Sequence, residues 1–401
     1  MSLFSAIELA PRDPILGLNE AFNADPRTDK VNLGVGVYFN EAGKIPLMKA
    51  VATAEQLHQQ AQAARGYLPI EGVPSYSSAV QKQLFGADSG LLAKGLVVTA
   101  QSIGGTGALK LGADFIRTLD SSGVVAISNP SWENHRALFT AAGYQVQDYR
   151  YYDPASHGLD LAGMLADLEA LPERSVLVLH ACCHNPTGVD LTPADWAQVI
   201  ALVERKQHIA FLDIAYQGFG DGIEEDAVAV RMFADSGLNF FVSSSFSKSF
   251  SFYGERVGAL SVVSSSAQEA ERVLSQVKRV IRTNYSNPPT HGATIVSTVL
   301  NTPELNAMWQ QELAEMRNRI KSMRELMVQQ LKDKGARQDF SFVTGQCGMF
   351  SYSGLSADQV ERLRAEFGIY AVSTGRICVA ALNLNNINAV TDAIVAVSGT
   401  R

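Results

Sequence analysis

Five short runs along the chain are apolar almost without a break: Leu96-Val97-Val98, Val124-Val125-Ala126-Ile127, Val176-Leu177-Val178-Leu179, Ile209-Ala210-Phe211-Leu212 and Phe240-Phe241-Val242. A strand with one wet face alternates apolar and polar positions, whereas a strand covered on both faces reads as an unbroken run. Between the runs the period changes to that of a helix. Thr192-Pro193-Ala194-Asp195 opens one such segment with a cap, a first-turn proline and a first-turn acid, and Trp196, Val199, Ile200 and Val203 then share a face. Alternation of buried strands with amphipathic helices predicts an α/β fold built on a mostly parallel sheet with helices on both sides.

A different pattern begins at Thr302-Pro303. Leu305, Trp309, Leu313, Met316, Ile320, Met323, Met327 and Leu331 keep one helical stripe going as far as Gly335. This is longer than an ordinary globular helix, and it predicts a connector that carries the chain out of the first unit. The tail that follows has short apolar stretches such as Gly348-Met349-Phe350-Ser351-Tyr352 and two further helical patterns, over 357–367 and 386–397. These predict a smaller α+β domain.

Composition narrows the class of partner. A chain of 401 residues exceeds what one hydrophobic core usually serves, and 46% hydrophobic residues leave material for two. The net charge of -7 argues against a nucleic-acid surface, which needs clustered positive charge. Residues 1–14 lack a basic stretch leading into an apolar one, and no apolar run reaches membrane-spanning length, so a soluble cytoplasmic protein is expected. Four cysteines, Cys182, Cys183, Cys347 and Cys378, are too few and too irregularly spaced for a disulfide framework. Cys182-Cys183-His184 invites a metal reading, but neighbours on a strand point to opposite faces, so packing is the expected role and no metal is expected.

Ligands of an open parallel sheet bind beyond the carboxyl ends of its strands, so the residues after each run matter most. After Val97 comes Gly104-Gly105-Thr106-Gly107-Ala108, a glycine turn opening a helix, where free backbone N–H groups suit a phosphate. It is not the G-x-G-x-x-G fingerprint, and 36–44 is no Walker loop. After Val124 comes Trp132, able to stack on a planar ring; after Val176, His184-Asn185-Pro186-Thr187-Gly188, whose Asn185 amide can donate to a ligand oxygen. Asp213, after Ile209-Ala210-Phe211-Leu212, needs a cationic or protonated partner, and Tyr216 follows it. Phe240-Phe241-Val242 leads through Ser243, Ser244 and Ser245 to Lys248, an amine that loses its proton readily when desolvated and can then act as a Schiff-base nucleophile or general base. Arg256 lies close behind, within reach of the same phosphate. Phosphate cradle, stacking aromatic, acid for a ring nitrogen, phenol and amine together describe a pyridoxal-phosphate site. Asn129-Pro130 and Asn185-Pro186, where strands turn into this site, are expected to be cis.

With these stretches, Val31-Asn32-Leu33-Gly34-Val35-Gly36-Val37-Tyr38, Tyr67-Leu68-Pro69-Ile70-Glu71-Gly72, Arg282-Thr283-Asn284-Tyr285-Ser286-Asn287-Pro288-Pro289 and Ser373-Thr374-Gly375-Arg376 make the chain resemble the class I aspartate and aromatic-amino-acid aminotransferases over its whole length. The resemblance implies the type I fold of pyridoxal-phosphate-dependent transferases, with a large domain over 47–313 and a small one from 1–46 and 314–401. It implies that Lys248 bonds the cofactor and shuttles a proton at the substrate Cα, and that Asp213, backed by His135, holds the ring nitrogen protonated. Tyr216 and Asn185 would meet the ring hydroxyl oxygen, with Trp132 against the ring. Gly105, Thr106, Ser245 and Arg256 would hold the phosphate, joined by Tyr67 from a neighbouring subunit. Arg376, helped by Gly36, would clamp the substrate α-carboxylate, and the neighbour's Arg282 would meet a side-chain carboxylate. A site shared in this way implies a homodimer.

Phe39 and Ile45 are apolar where dicarboxylate-restricted relatives tend to be polar, which tilts the expected substrate towards phenylalanine and tyrosine alongside aspartate and glutamate, with 2-oxoglutarate as acceptor. A strict aspartate transaminase is the near alternative. A lyase on the same fold and a non-catalytic pyridoxal-phosphate sensor are more distant; Arg376 with Lys248 argues against the first, and the lack of a fused DNA-binding module against the second.

Overall fold

The computed structural model describes residues 2–399. Its centre is a seven-stranded sheet of β1 (Val97–Ile103), β2 (Val124–Asn129), β3 (Gln145–Arg150), β4 (Val176–His180), β5 (Ile209–Ile214), β6 (Phe240–Ser245) and β7 (Val257–Val263). The spatial order is β1-β7-β6-β5-β4-β2-β3, and β7 alone runs against the rest. Consecutive residues supply the two faces. Leu177, Leu179, Ala210, Leu212, Phe240 and Val242 enter one core, while Val176, Val178, Phe211 and Phe241 enter the other. Unbroken apolar runs were required for that double burial, as the pattern predicts.

Two strands were not in the pattern. β3 is an edge strand with mostly exposed or half-buried side chains, so nothing demands an apolar run there. β7 is wholly buried, but glycine and serine interrupt its hydrophobicity and disguise it as loop. Its direction follows from its connection: residues 246–256 are too few for the crossover that would return the chain parallel to β6.

The capped segment forms a helix over Pro193–Lys206, with Thr192 and Asp195 closing a reciprocal capping box and Trp196, Val199 and Val203 buried; Ile200 is half-buried against the same core. The long stripe forms a single helix, Pro303–Asp333, burying every one of the residues expected to line it. Beyond it lie the helices Ala357–Phe367 and Ile387–Ser398 and the antiparallel pair Phe350–Tyr352 with Arg376–Cys378. Val31–Asn32 pairs in parallel with Ile369–Tyr370, which ties the start of the chain to its tail. Both Asn129-Pro130 and Asn185-Pro186 are cis, as expected. No helix among the described residues is long and apolar enough to cross a membrane.

The long helix is fastened to the loop that carries Lys248. Trp309 donates from its indole Nε1 to the Ser249 carbonyl at 2.7 Å and stacks on Phe250 with ring centroids 4.8 Å apart. Trp309→Ala is therefore expected to lower stability by about 3–5 kcal/mol, as large aromatic deletions do. Trp309→Phe, which keeps the packing and strands one carbonyl, should lose only about 1–3 kcal/mol. Denaturant titration of the two variants checks the ordering.

Candidate active site

The carboxyl ends of the parallel strands open onto a cavity of about 240 Å3. Gly105 and Thr106 reach it from the end of β1, Trp132 from β2, His180 and Asn185 from β4, Asp213 and Tyr216 from β5, and Ser245 and Lys248 from β6. Because β7 is antiparallel, it brings its start to the same edge, and Arg256 with it. Gly36 and Arg376 close the far wall.

Asp213 is buried and hydrogen-bonded through Oδ2 to His135 Nε2 at 2.8 Å, and His135 is fully buried. The histidine's Nδ1 meets Ser131 Oγ at 2.9 Å, and that hydroxyl also lies 3.1 Å from His180 Nε2. Burial and the nearby His135 push His180 down to about 3, so this ring is neutral. The sequence reading passed over His180, although it ends an apolar run in the same way as Asp213, with which it is in register on the neighbouring strand.

The Lys248 amine lies 4.8 Å from the centre of the Tyr216 ring. Desolvation pulls its pKa down to about 8, with Arg256 and Arg376 adding to the effect and Asp213 opposing it. Tyr216 itself is held above the usual range by burial, against the pull of Arg376, so it stays a phenol.

Arg376 is 1% exposed. Its Nη2 donates to the Gly34 carbonyl at 2.6 Å and its Nη1 to Asn185 Oδ1 at 3.0 Å, while the guanidinium sits 4.3 Å over the Phe350 ring. Its Nε is buried with no hydrogen-bond partner among the described residues. No carboxylate among the described residues pairs with Arg376 or with Arg256, whose Nη1 donates to Ser247 Oγ and the Tyr253 carbonyl. A buried guanidinium without a counter-ion is costly, so the wall around Arg376 is built for an incoming anion. Phe350 and Tyr253, both lining the cavity, also escaped the sequence reading; only the folded chain brings them to the strand ends.

The glycine turn becomes the first turn of the helix Gly104–Ile116, whose leading N–H groups have no helical acceptor. Small residues make the approach possible. A Cβ on Gly258 would sit 2.4 Å from the Gly104 carbonyl carbon, and one on Gly105 would sit 3.3 Å from Ser245 Cβ. Helix start, Ser245 hydroxyl and Arg256 thus form one anion cradle.

Four positions need separate comment. Tyr67 is 97% exposed and Arg282 is exposed, its Nη1 donating to Ser286 Oγ at 2.7 Å; neither lines the cavity of its own chain. Phe39 and Ile45 do not line it either: Phe39 packs against the core and Ile45 is exposed. Within one chain, then, neither of the two apolar residues that tilt the expected substrate reaches the cavity. The geometric objection raised against Cys182 and Cys183 also fails. The strand stops at His180, Cys183 takes a left-handed backbone at φ 50°, and the two sulfurs lie within 4.8 Å of each other and of an Asp226 oxygen.

Comparison with known proteins places this geometry in a lineage. The family model for aminotransferase class I and II matches residues 28–394. The chain is 70% identical to an aspartate aminotransferase of Pseudomonas aeruginosa, over 99% of this chain and all of that one. It is 50% identical to an aromatic-amino-acid aminotransferase of Escherichia coli, over 98% of this chain and all of that one. The solved aromatic-amino-acid aminotransferase of Burkholderia pseudomallei, covalently bound to pyridoxal phosphate, superposes with a TM-score of 0.97 at 65% identity and full coverage of both chains.

The depressed Lys248 amine is open to a direct test. In protein freed of small molecules, reductive methylation of Lys248, followed by peptide mapping, should rise with a midpoint near pH 8, where the amine loses its proton. Surface lysines should follow more than two units higher, near about 10.4. A Lys248 profile that coincides with the surface lysines would contradict the desolvation argument.

Proposed function

The chain belongs to the class I and II aminotransferases, and we propose that it moves the amino group of phenylalanine, tyrosine, aspartate and glutamate to 2-oxoglutarate or another 2-oxoacid, with pyridoxal phosphate as cofactor. The observation that carries this reading is the desolvated Lys248 amine sharing one cavity with the His135-backed Asp213 and with two guanidiniums that lack carboxylate partners. These groups fit the cofactor on their own terms: an amine for an aldehyde, a buried acid for a ring nitrogen, and a cradle of free N–H groups, Ser245 and Arg256 for a phosphate.

When bound, pyridoxal phosphate supplies an electron sink, a protonated pyridine ring conjugated with the substrate nitrogen. Asp213 would keep the ring nitrogen protonated, and His135 and Ser131 would hold that carboxylate in place. Trp132 would cover the ring, Tyr216 and Asn185 would meet its hydroxyl oxygen, and Gly105, Thr106, Ser245 and Arg256 would bind the phosphate. Arg376, with the backbone at Gly36, would clamp the substrate α-carboxylate bidentately, which selects loss of the Cα proton over loss of the carboxylate. Lys248 Nζ would take that proton and return it.

The exposed Tyr67 and Arg282 favour a homodimer in which each copy lends both residues to the other's cavity; the uncovered Leu3, Phe4, Ile7 and Leu9 are further apolar surface for a second copy to bury. The pairing of Val31 with Ile369 favours a small domain of 1–46 and 314–401 against a large one of 47–313. A second reading, aspartate transamination alone, is favoured by the 70% identity to the Pseudomonas aeruginosa enzyme.

Lys248→Ala should abolish turnover while the protein still binds cofactor with an altered visible spectrum; substantial turnover would remove Lys248 from the reaction. Asp213→Ala should keep the fold yet slow Cα deprotonation in single turnovers by several orders of magnitude.

Substrate choice rests on Arg282. A charge-assisted contact to a side-chain carboxylate contributes about 1.5–3 kcal/mol, so Arg282→Ala should depress kcat/KM for aspartate and glutamate roughly ten- to hundredfold. Phenylalanine, held by burial of its ring, should change far less. A wild-type enzyme that ignores phenylalanine would leave the aspartate-only reading standing.

A further inference from the structure

Behind the active-site wall lies a second cluster of reactive side chains that the transamination chemistry does not use. Cys183, Asp190 and Cys347 each place one ligand atom within 4.8 Å of the others. Cys347 Sγ is 3.0 Å from Asp190 Oδ2. The carboxylate is already oriented, because Oδ2 accepts the Cys183 N–H at 2.7 Å and Oδ1 the His184 N–H at 2.8 Å. The two loops concerned are pressed together: the Cys347 N–H donates to the Gly188 carbonyl at 2.8 Å, and a Cβ on Gly348 would sit 2.6 Å from Cys183 Cβ.

We propose that Cys183, Cys347 and Asp190 form a site for a soft divalent cation of the zinc type. Thiolate sulfur and carboxylate oxygen are both ligand types that zinc takes, and a water completes four-coordination. Around tetrahedral zinc such atoms stand about 3.3–3.8 Å apart, a spacing between the 3.0 Å of Cys347 Sγ to Asp190 Oδ2 and the 4.8 Å that bounds the cluster, so side-chain shifts of about 1 Å seat the ion. The backbone N–H groups on Asp190 are the outer contacts that fix a metal-bound carboxylate. Asp190 and Cys347 line a cleft of about 1000 Å3 that opens to solvent, which gives the ion a way in and the water a place.

Charge also closes. On loading, the two thiols release their protons to solvent, and two thiolates, one carboxylate and one dication leave a single negative charge. Arg324 supplies the counter-charge: it is 3% exposed, no carboxylate among the described residues pairs with it, and its Nη2 donates to the carbonyls of Gly348 and Phe350. The neighbouring trio of Cys182, Cys183 and Asp226 is a poorer candidate, because all three residues are buried and Asp226 accepts three N–H groups, two of them on Oδ2, where Asp190 accepts two, one on each oxygen.

The site has a position from which it can act. Cys183 and Asp190 flank Asn185 on one loop, Cys347 lies just before Phe350 on the other, and both Asn185 and Phe350 hold Arg376. An ion there ties together the two segments that place the substrate clamp.

The test uses the cofactor-loaded enzyme equilibrated with zinc chloride and then passed through a desalting column. Elemental analysis should find one zinc per chain in the wild type and in Cys378→Ser, and a loss of at least tenfold in Cys347→Ser. Zinc K-edge X-ray absorption of the wild type should show two sulfur neighbours, a readout that holds even where a variant fails to fold. Equal zinc in wild type and Cys347→Ser, or a spectrum with nitrogen and oxygen neighbours only, would overturn the proposal.

Discussion

A carboxylate at the end of a strand as apolar as Ile209–Ile214 is tolerable only where something holds its charge, and the arrangement around Asp213 answers that need in layers. His135 meets the carboxylate, Ser131 meets the histidine, and the neutral His180 stands behind both. Each layer orients the one before it, so the acid presents its free side to the cavity. Desolvation acts on Lys248 in the opposite sense, removing the proton that a surface lysine would keep. One cavity thus brings together a carboxylate held by hydrogen bonds and an available amine a few residues beyond adjacent strand ends.

The opposite wall depends on a charge left uncompensated. Arg376 is reached from four parts of the chain, through the Gly34 carbonyl, the Asn185 amide, the Phe350 ring and its own strand. These contacts are dipoles and a π face; they fix the plane of the guanidinium without neutralising it. A permanent ion pair there would stabilise the free protein and compete with any substrate carboxylate. Leaving it out costs the free fold stability and makes the cavity selective for anions.

What could be read from the sequence divides along physical lines. Strands buried on both faces, the capped helix and the connector announce themselves because their periodicity is a direct consequence of burial. Asp213 and Lys248 stand out because a polar group after an apolar run is costly unless used. β3 was invisible because an edge strand is under no such constraint, and β7 because Gly258, which serves the close contact with Gly104, and Ser261, which bonds Thr99, interrupt its apolar run. The roles of Arg376, Tyr67 and Arg282 could not be derived from spacing at all. Arg376 meets a carbonyl 342 positions away, and the other two point away from their own cavity, so only likeness to a family suggested them. The objection to Cys182 and Cys183 as strand neighbours fails for a specific reason: both lie past His180, where the strand and its alternation of side chains end.

The anion cradle shows why small side chains matter as much as charged ones. A phosphate needs the N–H groups at the start of the helix Gly104–Ile116, and the antiparallel β7 passes directly against that start. Gly258 and Gly104 allow backbone to meet backbone there, at a separation that any Cβ would forbid. The same reversal of β7 is what carries Arg256 to the rim, where a left-handed backbone at φ 54° turns its side chain back across Gly104. Cation and donor groups therefore converge because one short connection denies the chain a crossover. A parallel β7 would have left Arg256 at the far edge of the sheet and the helix start without its counter-charge.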